Sequence, residues 1–275
     1  MKKALLYFEL LVVIVVVFLI HNHTIKGYQP TSRGIALIII GAAIGISSTL
    51  FQGYFKKVIA EPGIMGISSG AALGAVIALK AGADFGSYQG MVTSIFFALI
   101  TFYIFYFIKN KFLINGILLT LTLSLIVILL TLNDEHNGLF WTLGSFTELN
   151  KVHVKAFAPL VEVGIITSFF IARRIKNNSP TTTFFVALGA SFLIGPFTNV
   201  TGALIGFGLF IPAITRKMVK GDTRKVLSYA ALIGPILLLT IDILISDLNN
   251  VSVSVIAVTI AALLPRTGKE QPQSE

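Results

Sequence analysis

Hydrophobic residues in this chain do not alternate with polar ones; they run in long blocks separated by short polar or charged interruptions. Apolar stretches fall at 4–20, 34–55, 63–79, 88–108, 112–132, 152–172, 182–199, 202–213, 226–245 and 251–264. A bilayer core about 30 Å thick takes roughly 20 helical residues, so this pattern predicts about ten membrane helices. The eighth and tenth stretches are too short to cross unaided at about 1.5 Å per residue. Each is expected to be a half-helix, a tilted segment or a re-entrant piece shielded by protein. The predicted fold class is all-α, a polytopic membrane protein. Residues 1–265 would form one transmembrane domain and residues 266–275 a polar tail.

Composition agrees with that pattern. Of 275 residues, 55% are hydrophobic and only 12% charged, with a mean hydropathy of +0.88, too little polar surface to coat a soluble globule. The formal charge of +9 could point to nucleic acid, but the positions of the cations point to topology and to the lipid bilayer as partner. With the N-terminus placed inside, 16 of the 21 Lys and Arg fall in inner loops. Only Lys26, Arg33, Lys80, Lys151 and Lys155 are left outside. The positive-inside rule then puts both termini in the cytoplasm. The first stretch follows Met-Lys-Lys like a signal peptide, but HNHTIKG rather than a small-residue cleavage site comes after it, which predicts a retained helix.

With no cysteine, thiolate metal sites, disulfides and cysteine nucleophiles are all excluded. No Lys is followed by Ser or Thr, so the phosphate-binding loop G-x-x-x-x-G-K-[ST] is missing, and ATP-driven work would need a separate ATPase. No catalytic residue, metal site or cofactor of the chain's own is expected. Three carboxylates fall inside predicted spans: Glu9, Glu162 and Asp242. Glu9 lies near the inner end of its span. Glu162 and Asp242 are candidates for an ion relay, weighed against the commoner role of hydrogen-bond partners between helices. The histidines at 21, 23, 136 and 153 fall in or beside predicted outer loops. His21 and His23 could bind a metal, but two imidazoles without a third ligand are more often surface residues. Gly41 with Gly45, Gly70 with Gly74, and Gly202 with Gly206 and Gly208 have the spacing that lets membrane helices approach closely.

The block GAAIGISSTLFQGYFKKVIAEPGIMGISSGAALGA, residues 41–75, resembles the signature of FecCD-type permeases, the membrane subunits of ABC importers for iron-siderophores, haem and cobalamin. The matching residues include Gln52, Lys56, Ala60, Glu61, Pro62, Gly66, Ser68, Ser69 and Gly70. Weaker matches follow in order at Arg33, Asn115-Gly116, FWTLGSF (140–146), GALIGFGLFIPAITR (202–216), GDTR (221–224) and ALIGPILLLTIDIL (231–244).

That resemblance implies a type II ABC importer permease working as a homo- or heterodimer, with the path between two subunits and the fifth helix as a main lining. It implies three partners: a second permease, a cytoplasmic ATPase that uses the ATP, and an extracellular substrate-binding (lipo)protein. Path or gate residues would be Gln52, Lys109, Asn110, Asn115, Thr120 and Ser124. Thr120, Thr122 and Ser124 could equally bond to their own helix. ATPase-facing residues would be Arg173, Arg174, Lys176, Arg216, Asp222 and Arg224. Arg33 and Trp141 would serve docking of the binding protein. The expected setting is a bacterial plasma membrane and the expected cargo a ferric siderophore, with haem and cobalamin open.

The family's Leu-Gly-Glu segment between the sixth and seventh spans is replaced here by ARRIKNNSPTT, and Ala213 and Thr223 stand where the family has histidines. These departures motivate two competing readings. One is a degenerate paralogue partnering a complete permease. The other is a secondary transporter driven by ions through Glu162 and Asp242.

Overall fold

The computed structural model describes residues 2–25, 30–134, 138–146, 149–175, 179–219 and 223–245. The stretch 251–264, the tail, Lys176 and Asp222 lie outside the described residues. The described chain is entirely helical: α1 (Lys2–Thr24), α2 (Pro30–Phe55), α3 (Ile67–Lys80), α4 (Tyr88–Ile108), a 3₁₀ turn (Lys109–Lys111), α5 (Phe112–Leu130), α6 (Gly138–Leu143), α7 (Lys151–Ile171), α8 (Pro180–Thr201), α9 (Phe207–Met218) and α10 (Thr223–Ile245). Six stretches are long and apolar enough to cross a membrane, and one of them, Tyr88–Leu130, contains both α4 and α5. The shorter α3 and α9 begin only after irregular turns, and α6 is a single extra turn and a half within a region expected to be loop.

Local chemistry sets most boundaries. Ser87 caps α4 by accepting from the Gly90 N–H, and Asn150 caps α7 by accepting from Val152 and His153. Ser179 caps α8, which then opens with Pro180, a residue that suits the first helical position because it has no N–H to leave unpaired. By contrast, α3 and α9 have no side-chain cap from their preceding residues, Gly66 and Gly206. Both glycines adopt left-handed backbone angles, φ 81° and 92°, where a side chain would be strained.

Helix direction follows from which glycines meet which neighbours. Gly41 abuts Gly234, Gly45 abuts Ala230 and Gly53 abuts Thr223, so α2 and α10 run antiparallel along most of their length. Gly70 against Thr101 and Gly74 against Thr93 fix α3 and α4 as antiparallel in the same way, and Gly195 against Ile95 fixes α4 and α8. Since lipid tails are as apolar as the helices, such close backbone approach replaces the hydrophobic drive that packs soluble helices. The centre is built on α2, α3 and α8, whereas α1 and α5 are buried along one narrow side only.

This arrangement gathers the charge at one end. Phe55 packs on Phe105 and Phe112, Tyr54 bonds to Thr183, and Gly53 meets Thr223 and Ile175. The finish of α2, α4 and α7 and the start of α5, α8 and α10 therefore lie together. Lys56, Lys57, Lys109, Lys111, Arg173, Arg174, Arg224 and Lys225 sit at that end, which the positive-inside rule assigns to the cytoplasm.

A Cβ at Gly41 would lie 2.6 Å from the carbonyl carbon of Gly234, with backbone on both sides and no flexible side chain to yield. We expect Gly41→Val to destabilise the bundle by about 1–3 kcal/mol. Thermal melting of the protein in nanodiscs would read this as a clear drop, and an unchanged melt would show the α2–α10 seam to be looser than described.

Candidate functional site

Two broken segments meet inside the molecule. The turn at 61–66 climbs from the cation-rich end toward α3, and the link at 202–206 descends from the far end of α8 toward α9. Glu61, 1% exposed, stands between them. Its carboxylate accepts the Ile64 N–H at 2.8 Å, and the N–H groups of Gly63, Gly206 and Gly208 lie close enough to favour its charge. Unpaired N–H groups at the start of a helix are costly away from water, and an anion is the group best suited to satisfy them. One side chain thereby ties the turn before α3 to the start of α9. Gly63 and Gly208 leave room for it: a Cβ at Gly208 would lie 2.6 Å from Glu61 Cγ. Glu61 matched the family pattern in the sequence, but this role depends on residues about 145 positions away and could not be read from spacing.

At the opposite end Arg33 forks onto Asp242, with Nε at 2.9 Å from Oδ2 and Nη2 at 2.5 Å from Oδ1, while His21 Nε2 lies 2.8 Å from the same carboxylate. Asp242 and His21 are fully buried, and the Arg33 side chain is 20% exposed. The triad ties α1, α2 and α10 together. Several expectations change here. Arg33, a candidate for docking a binding protein, is committed to an internal partner. His21 is an interior residue of α1 rather than a loop ligand, because α1 extends to Thr24. Asp242 is paired with a guanidinium and an imidazole, which matches the role of a hydrogen-bond partner between helices. Glu162 is exposed on the outer side of α7, which packs on α8 and α2 and away from α10, so the two relay candidates are not brought together.

The other expected path residues divide. On α5, only Phe112, Gly116 and Val127 are buried, leaving a broad exposed face that includes Leu118, Leu121 and Leu125. Thr120 is half-buried beside that face and reaches the carbonyls of Gly63, Ile64 and Gly116, all within 3.1 Å, joining α5 to the turn at 61–66. Ser124 Oγ lies 3.2 Å from Ser69 Oγ on α3. Thr122 is exposed and donates to Leu118 within its own helix. Gln52 is buried and donates to the Val58 carbonyl at 2.8 Å, pinning the turn after α2 instead of lining a path. Asn115 donates to the Ile108 carbonyl and closes the α4–α5 turn, where Lys109 lies over the Tyr106 ring at 3.4 Å and Asn110 is exposed.

Trp141, the second docking candidate, is 1% exposed. It packs with Ala72, Val76, Val127 and Ala203, and its carbonyl accepts the Ala203 N–H at 2.8 Å, so it presents no docking surface. Its seat requires Gly202, where a Cβ would come within 3.0 Å of Trp141 Cα. Arg173, Arg174, Arg216 and Arg224 are all exposed, with Arg174 resting 5.0 Å from the Phe170 ring. Among the described residues, no group of three or more His, Cys, Asp or Glu could hold a metal.

Residues 21–265 match the FecCD transport family, nearly the whole of the chain. The chain belongs to that family. Among FecCD-type relatives, the cobalamin import permease BtuC of Halobacterium salinarum is 27% identical over 233 residues, covering 74% of this chain and 61% of the relative. The hemin transport permease HmuU of Yersinia pestis is 27% identical over 240 residues, 77% of this chain and 72% of the relative. A solved transporter described as of metal-chelate ABC type, captured facing inward, superposes with a TM-score of 0.80 at 21% identity over 93% of this chain and 95% of that one. This last likeness concerns the fold.

The triad gives a double-substitution test. Asp242→Leu alone leaves the partly buried Arg33 and the buried His21 without their partner and should cost up to about 3 kcal/mol, the low end for a buried pair because Arg33 reaches solvent. Adding Arg33→Met should restore much of the loss of melting temperature. If the double variant melts no higher than Asp242→Leu, Arg33 and Asp242 are not coupled.

Proposed function

We propose that this chain is the permease subunit of an ABC importer for an iron chelate, forming half of a conduit with a second permease and driven by a separate ATPase. Membership of the FecCD transport family carries the reading. The exposed apolar face of α5 supports it, because a helix buried along one narrow side has a surface left for a partner subunit and the path between them. The exposed cations Arg173, Arg174, Arg216 and Arg224 would face the ATPase, and a substrate-binding protein would deliver cargo at the other end. The chain would then sit in a bacterial plasma membrane, cation-rich end inward. A ferric siderophore is the default cargo. Relatives are named for cobalamin, hemin and iron(3+)-hydroxamate, and one for molybdate, so similarity alone leaves cargo to experiment.

One observation favours a second reading. Helix α7 ends at Ile171 and α8 starts at Pro180, leaving no length for the two short helices by which the family's permeases engage an ATPase. The chain would then be a paralogue that associates with a complete permease.

Reconstitution separates the two. In proteoliposomes containing the chain, a cognate ATPase and a binding protein, the first reading expects ATP-dependent uptake of radio-iron-labelled ferric hydroxamate. It also expects Arg174→Glu with Arg224→Glu to reduce ATPase co-purification at least several-fold. Recovery of a full-length permease but no ATPase in the same pull-down would favour the second reading and sink the first.

A further inference from the structure

Where α2 ends beside the α4–α5 turn, the cation-rich end opens into a cavity of about 340 Å³. Its volume lies within the roughly 300–1,000 Å³ usual for small-ligand sites. The lining brings together Lys56, Lys57 and Lys109 with Asn110 and the rings of Tyr106 and Phe112, and includes no carboxylate. Clustered cations with no carboxylate in the lining make the cleft electropositive, a setting that favours an anion. Nothing among the described residues supplies it: the ion pairs there are Lys80 with Asp134 and the triad at Asp242, both at the other end.

Two of the cations lie over rings that line the cleft. Lys109 Nζ lies 3.4 Å from the centre of the Tyr106 ring, and Lys57 Nζ 5.3 Å from that of Phe112. Lys56 has a left-handed backbone, φ 52°, the sole positive value outside glycine among the described residues. Strain of this kind tends to collect at functional positions. The cleft also borders apolar surface: Phe107 is 76% exposed and Val58 71%, with Ile108, Leu113 and Ile114 exposed alongside. A basic pocket between helices at the cytoplasmic level, open onto a greasy flank, matches an amphiphilic anion better than a soluble one.

We propose that this cleft binds the phosphodiester headgroup of an anionic phospholipid of the inner leaflet, its acyl chains lying along Phe107 and Leu113. Bound there, the lipid links the end of α2 to the turn that joins α4 to α5. The inference goes beyond the transport reading and requires no particular cargo or ATPase; it needs only the cation-rich end at the cytoplasmic surface.

Native mass spectrometry of the full chain, released from nanodiscs of mixed phosphatidylglycerol and phosphatidylcholine, tests it. The expected result is retention of one phosphatidylglycerol per chain against excess phosphatidylcholine. Lys56→Gln with Lys57→Gln and Lys109→Gln should lower that retention by roughly tenfold or more. Lys217→Gln, a charge loss of the same kind outside the cleft, should not. Should the triple variant fail to fold, Lys56→Gln and Lys57→Gln singly, together with the rise in wild-type melting temperature on adding phosphatidylglycerol, give the same reading. Equal retention in wild type and cleft variants overturns the proposal, as does an equal loss in Lys217→Gln. Stabilisation by inorganic phosphate or glycerol 3-phosphate without lipid retention would identify a soluble anion and also overturn it.

Discussion

A backbone that leaves helical geometry inside a membrane must find partners for its own N–H groups, and here that demand falls on one carboxylate. Glu61 accepts the Ile64 N–H and faces the N–H groups of Gly63, Gly206 and Gly208, from two chain segments far apart in sequence. Without an acceptor at that point, the turn before α3 and the start of α9 would hold unsatisfied donors in a setting with little water to replace it. The surrounding features follow from this requirement. Gly63 and Gly208 are bare because the carboxylate occupies their side-chain space, and Gly66 and Gly206 turn left-handed so that α3 and α9 can both start beside it. Thr120 then secures the same turn to α5.

Around that junction, α2 acts as the spine. Its glycines admit α10 along one side, its outer end is tied through Arg33 to Asp242, and its inner end packs aromatically on α4 and α5. The helices least held are α1 and α5. For α1 a lipid surround is sufficient explanation. For α5, whose polar groups mostly turn back to backbone carbonyls, the apolar outward face suits a second protein surface with few fixed polar contacts.

Much of this architecture could be read from the sequence, because the rules involved are local. Block hydrophobicity gave the long helices, and the glycine pairs 41/45 and 70/74 marked positions that do lie at close helix contacts, whereas Gly202 and Gly206 fall in the link between α8 and α9. The family was recognisable from residues 41–75 alone. Other features depend on distance. That Asp242 meets Arg33 and His21 depends on three helices converging over some 200 positions. Glu61 looked like one letter of a motif until the link at 202–206 came down to it. Trp141 sits in a stretch that reads as a polar-flanked loop, yet tertiary packing buries it. Lys57 reads as a topology signal, Lys56 also as a motif residue and Lys109 also as a candidate gate residue, and only the fold sets the three around a common cleft.

The chain contains a single tryptophan, and it occupies a junction. The Trp141 indole touches α3, α5 and the link that leads to α9, sealed from solvent by the rings of Phe85 and Phe140. Its emission therefore originates from one known place, in a dry setting that shifts it toward the blue. Any rearrangement that separates those elements would wet the indole and move its spectrum to the red. The molecule thus carries an intrinsic optical gauge of that junction, readable in real time without a label.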